Sequence, residues 1–448
     1  MVVPPINGCP QIACLLAAIS LPGIPYHSGC PILGRLPNSP MDRTAASLRP
    51  VVRPLLTIFM AQALMTSAPY AISVLAPDAA SDLGLSPDSV GFLASTVYLL
   101  AMISGLGSEV AIARWGPTRT FQALLALTAL GTLSLMAAHP LLAFLGAALI
   151  GVATGPMNPA GSFVLSRVTT AKWQPFVFSL KQCATPVGGM AAGAVLPILA
   201  LLYDWRLALA LVPLFALPLM VFAPRGGLEV EAMSRSPGPS RAIHLAVLAS
   251  LRDAVATPAL RSVVLMGVVL GACQLGVAVY FVVYLWSEAQ MSPIEAGQVF
   301  VMFHVAGVVA RIALGALAER HIATRHLLQA LGVLMAFATA TAATIDSSTA
   351  LWLIYAITVA LGASGNAWVG LFFAELARLA PRNIASTTGG AQFAMYTGIV
   401  VGPLLYGVML RSGLSHGECF AVFSILALTT AFMPLLGYLQ FRGSGLSS

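Results

Sequence analysis

Long apolar stretches alternate with short polar segments along the chain from about residue 50 onward. A transmembrane helix needs about 20 mostly apolar residues to cross the hydrocarbon core of a bilayer. Twelve stretches satisfy this length, so the pattern predicts an all-α integral membrane protein with twelve transmembrane helices. Their expected ranges are 54–76, 88–112, 120–138, 140–166, 175–202, 206–223, 261–286, 294–317, 327–345, 350–376, 385–410 and 418–440.

Composition and charge agree with this pattern. Hydrophobic residues make up 58% of the chain and charged residues 8%, against about 25% charged residues in soluble domains. With a cytoplasmic amino terminus, 18 of the 22 Lys and Arg residues fall in cytoplasmic segments, two in external loops and two within helices. This bias predicts a multi-pass protein with both termini in the cytoplasm, and we expect it to lie in the plasma (inner) membrane. The net charge of +7 therefore reports topology, and we expect no nucleic-acid partner.

Residues for catalysis or metal binding are sparse. The six cysteines are widely spaced, with no CxxC pair and no His/Cys cluster, so we expect no disulfide framework, no metal and no other cofactor. The chain has no GxxxxGK[ST] phosphate-binding loop, which argues against ATP as the energy source. His, Asp and Glu are too sparse in the apolar stretches for a membrane-embedded enzyme. We expect a protein that is not an enzyme and that binds a small-molecule solute.

The second half of the chain repeats features of the first about 206–209 residues later, and Asn158 and Asn366 form one such pair. Internal duplication of this kind favours a solute site between the repeats, near the membrane midplane, and alternating access. The predicted organisation is a tail at 1–50, a six-helix bundle at 51–224, a cytoplasmic linker at 225–258, a six-helix bundle at 259–440 and a tail at 441–448.

Residues 1–40 do not fit this pattern. Their apolar run from Ile12 to Pro22 is too short to span a membrane, and no basic residue precedes it as in a secretory signal. Met41 opens a more usual start, with basic residues just before the first apolar stretch. We expect translation to begin at Met41, or residues 1–40 to be a disordered tail; the mass of the intact protein tests this.

A charged motif follows the second stretch and returns after the eighth. The second copy reads Gly315-Ala-Leu-Ala-Glu319-Arg320 with Arg325, and the first keeps Arg114, Gly116 and Arg119. Both copies resemble the Gly-x-x-x-Asp-Arg-x-Gly-Arg-Arg signature of the major facilitator superfamily, over residues 50–440. The resemblance implies two pseudo-symmetric six-helix bundles that transport a solute, usually as a monomer.

The first copy of the motif departs from that signature. Ala113 stands where the acid belongs and Glu109 where the glycine belongs. In the family these residues tie helix ends together across the cytoplasmic interface. The departure implies a latch that is weaker, or rebuilt through Glu109.

Two further segments resemble one branch of this superfamily. Residues 179–189, SLKQCATPVGG, and 366–381, NAWVGLFFAELARLAP, are similar to helices 5 and 10 of the bacterial branch that includes cyanate-permease-like carriers. This similarity implies a small anion as the solute. The signatures of sugar porters and of proton-driven drug exporters are absent.

Two cations lie inside apolar stretches, where a charge is costly unless it faces a cavity or a partner. Lys181 lies about 9 Å into the fifth stretch, and we expect it to attract an anionic solute with help from the amide of Gln182. Alternatively, its stem lets the amine reach the cytoplasmic rim. Arg311 lies at a similar depth in the eighth stretch, where the motif that follows favours a structural role at the cytoplasmic gate over solute binding.

Other polar side chains fall near the midplane. Asn158 and Asn366 contact the solute from opposite halves in one interpretation and serve helix packing in the other. The remaining candidates for solute binding are Gln274, Tyr70, Trp368 and Tyr396.

Protons are the expected coupling ion. His304 lies deep in the eighth stretch, and a histidine titrates near neutral pH, although a packed, hydrogen-bonded histidine is an alternative at least as well supported. Glu109 pairs with Arg114 or with a helix terminus in one interpretation and carries a proton in the other. The predicted gating or coupling residues are Glu109, Arg114, Arg311, His304, Glu319 and Arg320.

The sequence thus predicts a secondary active transporter of a small solute, with a small anion favoured, driven by the proton gradient as a symporter. Two alternatives stay open: an exporter of drugs or amphipathic metabolites, and a non-transporting membrane receptor.

Overall fold

The computed structural model describes residues 40–170, 173–226, 228, 243–320, 322–380 and 384–444. Within these ranges every regular element is helical, and each of the twelve predicted stretches contains a helix. The long helices are α1 Pro40–Val74, α2 Val90–Gly105, α3 Ser108–Met136, α4 Pro140–Val168, α5 in two segments Gln174–Gln182 and Ala184–Leu202, α6 Trp205–Phe222, α7 Pro258–Ser287, α8 Pro293–Arg320, α9 Thr324–Ala342, α10 Leu351–Leu379, α11 Ile384–Arg411 and α12 His416–Ser444.

Shorter elements occupy some of the connections. A helix over Ala76–Leu83 and a 3₁₀ turn over Pro87–Ser89 join α1 to α2, and a 3₁₀ turn over Ala223–Gly226 follows α6. A further helix, Ile243–Ala254, precedes α7. Expectations for residues 1–39, for most of the linker and for 445–448 concern positions outside the described residues and stay predictions.

Eleven of the described helices are long and apolar enough to cross a membrane. The helix that falls short of this measure is α9, whose first three residues, Thr324, Arg325 and His326, are polar and shorten its apolar part. It packs along α10 and α12, which both qualify as spans, so it occupies the place of a twelfth spanning helix.

The connection between α2 and α3 differs from the sequence prediction. We expected the second stretch to reach residue 112, but α2 ends at Gly105 and helical structure resumes at Ser108. Gly105 and Gly107 lower helix propensity at this point. A second break falls at Gly116, whose φ of +77° lies in the region that favours glycine. The first motif copy therefore straddles a kink inside α3.

The two halves pack as separate groups of helices that meet along two seams. In the first half α3 and α2 lie against α4, and α1 against α5; in the second half α7 lies against α11, and α8 against α10. We call the contact between α5 and α8 the first seam and the contact between α2 and α11 the second seam.

The helix Ile243–Ala254 packs on α11. Ser386 Oγ donates to Asp253 Oδ2 at 2.7 Å, and Gly390 faces the main chain of Ser250, where an added Cβ would lie 2.0 Å from the carbonyl oxygen. Only a glycine allows this approach, so the helix is docked on the second half.

Candidate functional site

The buried apolar residues show which end of the bundle is closed. We call the end at which α1 begins and α12 ends the terminal face, and the other end the opposite face. Towards the opposite face one core joins both halves, with Leu196 of α5, Phe300 of α8 and Tyr406 of α11 in the same cluster. Towards the terminal face the described residues form two cores, one within each half. This arrangement indicates a site between the halves that is approached from the terminal face.

We call the site between the two halves the central region. Arg311 of α8 lies there and contacts both halves. Its Nη2 donates to the main-chain oxygen of Asn366 at 2.7 Å, and its Nη1 donates to that of Gln182 at 3.4 Å. The side chain is half-buried, and among the described residues no carboxylate pairs with it. The sequence favoured a structural role for Arg311 at the cytoplasmic gate; in the structure its guanidinium donates to main-chain oxygens of both halves.

A hydrogen-bonded group on α7 and α10 supports the Arg311 side of the site. Trp368 Nε1 donates to Gln274 Oε1 at 3.0 Å, and Gln274 Nε2 donates to Asn366 Oδ1 at 3.5 Å. Asn366 Nδ2 donates to the Gly362 oxygen at 3.3 Å. Trp368 is fully buried, so it orients Gln274 from behind and does not itself line the central region.

Three tyrosines converge near the same place from both halves. Tyr98 of α2 is within electrostatic reach of Tyr70 of α1 and Tyr396 of α11, and Tyr70 is within reach of Arg311. Within the described part of the chain none of the three hydroxyls forms a hydrogen bond, and none is sealed from solvent. They are hydroxyl donors that a bound solute could use.

Lys181 lies in a different environment. It is 1% exposed, and its Nζ donates to the main-chain oxygen of Asn158 at 3.0 Å and to Ser162 Oγ at 2.7 Å, both on α4. The amine is enclosed within the first half. Its neighbour Gln182 does reach the central region, but through the main-chain carbonyl that accepts from Arg311.

Asn158 and Asn366 occupy related positions with a shared role. The main-chain carbonyl of each accepts a hydrogen bond from a basic side chain, Lys181 in the first half and Arg311 in the second. The two cations come from helices that do not correspond in the repeat, α5 and α8. The Oδ1 of Asn158 is buried without a hydrogen-bond partner among the described residues.

His304 of α8 lies in the first seam. It is fully buried, with ring centroids 4.8 Å from Tyr70 and 4.7 Å from Phe300. Across the seam, an added Cβ at Gly189 would lie 2.2 Å from its Nε2. Neither ring nitrogen has a hydrogen-bond partner in the described ranges, so the histidine is held by aromatic packing.

The charged motif is only partly described. The side chains of Glu109, Glu319 and Arg320 lie outside the described residues, and Arg114 is exposed. The rebuilt latch through Glu109 therefore stays a prediction.

A polar group at the opposite face was missed by the sequence reasoning. Tyr280 of α7 donates to the main-chain oxygen of Asp88 at 2.9 Å, and its ring stacks on Tyr406 at 4.1 Å. Tyr406 Oη lies 3.1 Å from His416 Nδ1, and His416 Nε2 lies 3.4 Å from Asp88 Oδ1. Asp88 belongs to the first half and the other three residues to the second, so this group ties the halves together. No local pattern signals it.

Aspartates in the connection between α1 and α2 also contact neighbouring elements. Asp82 pairs with Arg206 at 2.7 Å and accepts from Trp205 Nε1 at 3.0 Å. The bond from Trp205, and then the Arg206 guanidinium, holds the pKa of Asp82 below its usual value. Burial raises the pKa of Asp78.

Two other kinds of site were sought in the structure. An apolar cavity at the opposite face is lined by residues such as Ala71, Leu75 and Trp205 and contains none of the predicted site residues. Across the described ranges no group of three or more His, Cys, Asp or Glu side chains could hold a metal ion.

Comparisons with known proteins give one finding. A family model described as Major Facilitator Superfamily matches residues 56–403, which is more than half of the chain. No curated protein matches the chain.

Proposed function

The chain belongs to the major facilitator superfamily and is a membrane transporter; we propose that it is a proton-coupled secondary carrier of a small anion. The observation that carries the proposal is Arg311, a cation between the two halves with no carboxylate partner in the described part of the chain.

A charge in this position needs compensation. Removing an ion from water costs several kcal/mol, and main-chain carbonyls offset only part of that cost. An anionic solute would complete the compensation. A guanidinium presents a planar fork of donors that binds a carboxylate or similar oxyanion through two parallel hydrogen bonds.

The surroundings of Arg311 support a small polar solute. The free hydroxyls of Tyr70, Tyr98 and Tyr396 add neutral donors from both halves, and Gln274 is oriented by Trp368. A site built from both halves is remade whenever the halves move, which suits alternating access.

Orientation follows from the distribution of basic residues. The terminal face is cytoplasmic in this proposal, because Lys and Arg concentrate in segments on that side. The protein then sits in the plasma membrane with both termini inside, and the conformation described is closed to the outside. We further propose that it acts as a monomer and as a symporter.

The test is uptake into proteoliposomes. The solutes are radiolabelled acetate, lactate, nitrate, cyanate and phosphate, with glycerol as the neutral reference, measured with and without an inward proton gradient. Arg311→Gln is compared with wild type, and Arg261→Gln is the matched control, since Arg261 also donates to a main-chain carbonyl, that of Val255 at 2.8 Å, but is exposed.

We expect wild type and Arg261→Gln to take up at least one anion faster with the gradient. Arg311→Gln should weaken apparent affinity by about 10–150-fold, because a hydrogen bond to a charged group contributes roughly 1.5–3 kcal/mol. Anion uptake by Arg311→Gln within about twofold of wild type would remove the basis of the proposal.

A further inference from the structure

We propose that Lys181, Asn158 and Ser162 form a proton-binding site inside the first half, separate from the anion site at Arg311. The inference rests on the proton coupling in the proposed function and names the group that carries the proton. It reassigns Lys181, which the sequence placed among the solute-binding residues.

The Lys181 amine is inaccessible to a solute, so the species that it can bind here is a proton. Lys181 is 1% exposed. Its amine lies between α5 and α4, and an added Cβ at Gly161 would lie 3.7 Å from Nζ. The Phe178 ring centroid is 5.9 Å away. An amine buried to this degree is not accessible to an anion with several heavy atoms in this conformation.

The number of acceptors matches a neutral amine. A neutral amine has two N–H donors, and the structure supplies two oxygen partners, Asn158 O at 3.0 Å and Ser162 Oγ at 2.7 Å. A protonated lysine has three donors and would need a third acceptor. The residue that supplies one of the two partners carries a further acceptor, Asn158 Oδ1, which is buried and has no partner among the described residues. In this proposal the Asn158 side chain turns towards the amine when Lys181 is protonated and supplies the third acceptor.

No fixed negative charge holds the proton in place. The described titratable groups on the elements packed against α5, and Cys183 on α5 itself, form neither an ion pair nor a hydrogen bond with Lys181 Nζ. On the packed elements these are Arg53, Tyr70, Arg167, Arg206, Glu295, His304 and Arg311. An ionised side chain in such surroundings is costly, whereas a lysine with a carboxylate partner would stay charged permanently. The site can thus exist in both protonation states.

The proton site is linked to the anion site along α5. Gln182 follows Lys181 directly, and its carbonyl accepts from Arg311. The two segments of α5 meet at the next residue, Cys183. An anion bound at Arg311 makes the local potential less positive, which favours a proton on Lys181. By linkage, a proton on Lys181 then favours the anion by the same factor.

The chain offers a direct test because it contains only two lysines, Lys172 and Lys181. In the Lys172→Arg protein, incorporated [ε-¹³C]lysine reports on Lys181 alone. The full-length protein is reconstituted in lipid nanodiscs without solute, and the ¹³Cε resonance is followed from about pH 5 to pH 9. We expect the resonance to change with pH across this range.

Two variants make the result specific. Asn158→Asp puts a carboxylate on the residue whose main-chain carbonyl binds the amine, and the Lys181 resonance should then stay at its protonated position throughout. Asn366→Asp, at the related position in the second half, should leave the resonance pH-dependent.

A wild-type-like titration in Asn158→Asp, or a resonance that is constant with pH in the Lys172→Arg protein, would overturn the proton site. Since no solute is present, this result is independent of the Arg311 uptake test. If the uptake test refutes the anion proposal, the titration result is still valid. If the titration refutes the proton site, the uptake result is still valid.

Discussion

The first seam contains a pair of glycines that touch across the two halves. An added Cβ at Gly297 of α8 would lie 2.4 Å from the main-chain oxygen of Gly193 on α5, where ordinary contact begins at 3.4 Å. The helices would have to part by about 1 Å. Overpacking of this kind costs typically 1–3 kcal/mol. We predict that Gly297→Ala disfavours the conformation described here by about 5–150-fold relative to one in which the seam is open.

The first half supplies a matched control. Gly146 of α4 faces Gly131 of α3 in the same way, and an added Cβ at Gly146 would lie 2.5 Å from the Gly131 oxygen. Both helices belong to the first half, so this contact need not change when the halves move. Gly146→Ala should lower thermal stability without changing the balance of conformations.

The measurement is the distance between spin labels at Leu201 and Glu288, which are both exposed near the opposite face. Labels are introduced in a background without reactive cysteines, and electron double resonance is recorded in nanodiscs. Gly297→Ala should add or enlarge a longer-distance population, and Gly146→Ala should not. If Gly297→Ala lowers the melting temperature and leaves the distances unchanged, the contact is a packing feature and the reasoning fails.

Three further predictions use other contacts. Tyr280→Phe removes the bond to the Asp88 carbonyl, so the same label pair should show weaker closure, by about 0.5–1.5 kcal/mol; unchanged distances would contradict this. Asp82 has a lowered pKa in the folded protein, so its stabilising contact is present above the usual value of about 3.9 and lost as pH falls through the folded value. Indole fluorescence should report that loss in wild type and not in Asp82→Asn. Arg378→Gln should lower the melting temperature more than Glu375→Gln, since it strands a carboxylate that is 3% exposed, whereas Arg378 is 56% exposed; equal effects would refute this.

Hydropathy predicted the helices well because a bilayer imposes one physical length on every span. The family resemblance and the all-α membrane fold are confirmed by the family match and the helical structure. The predicted end of α2 was wrong by seven residues, because the apolar sequence continues past Gly105 although the helix ends there. An apolar average does not register where small residues let a helix stop.

The two cations show what the position of a residue along an apolar stretch cannot predict. Lys181 and Arg311 lie at similar depths, and the sequence favoured Lys181 for the solute. The helix face decides their surroundings: Lys181 turns to α4 within its own half, and Arg311 reaches across to Gln182. Neither face can be derived from periodicity in helices that are apolar on most sides.

The tie between Asp88 and His416 illustrates a second limit. The two residues are separated by more than 300 positions and lie in different halves. A single aspartate before a helix and a single histidine at the start of another carry no pairing signal. Only the packing of α2, α7, α11 and α12 brings them together.

The docked helix Ile243–Ala254 determines how many residues of the chain connect the two halves. Leu228 is buried in the core of the first half, and the helix is fastened to α11 of the second. The segment that connects the two halves is therefore 229–242. Whatever its conformation, a segment of this length can reach at most roughly 50 Å. Helix motions of a few ångströms are small against this reach, so we expect that cutting the segment with a protease leaves the amplitude of the transport motion unchanged.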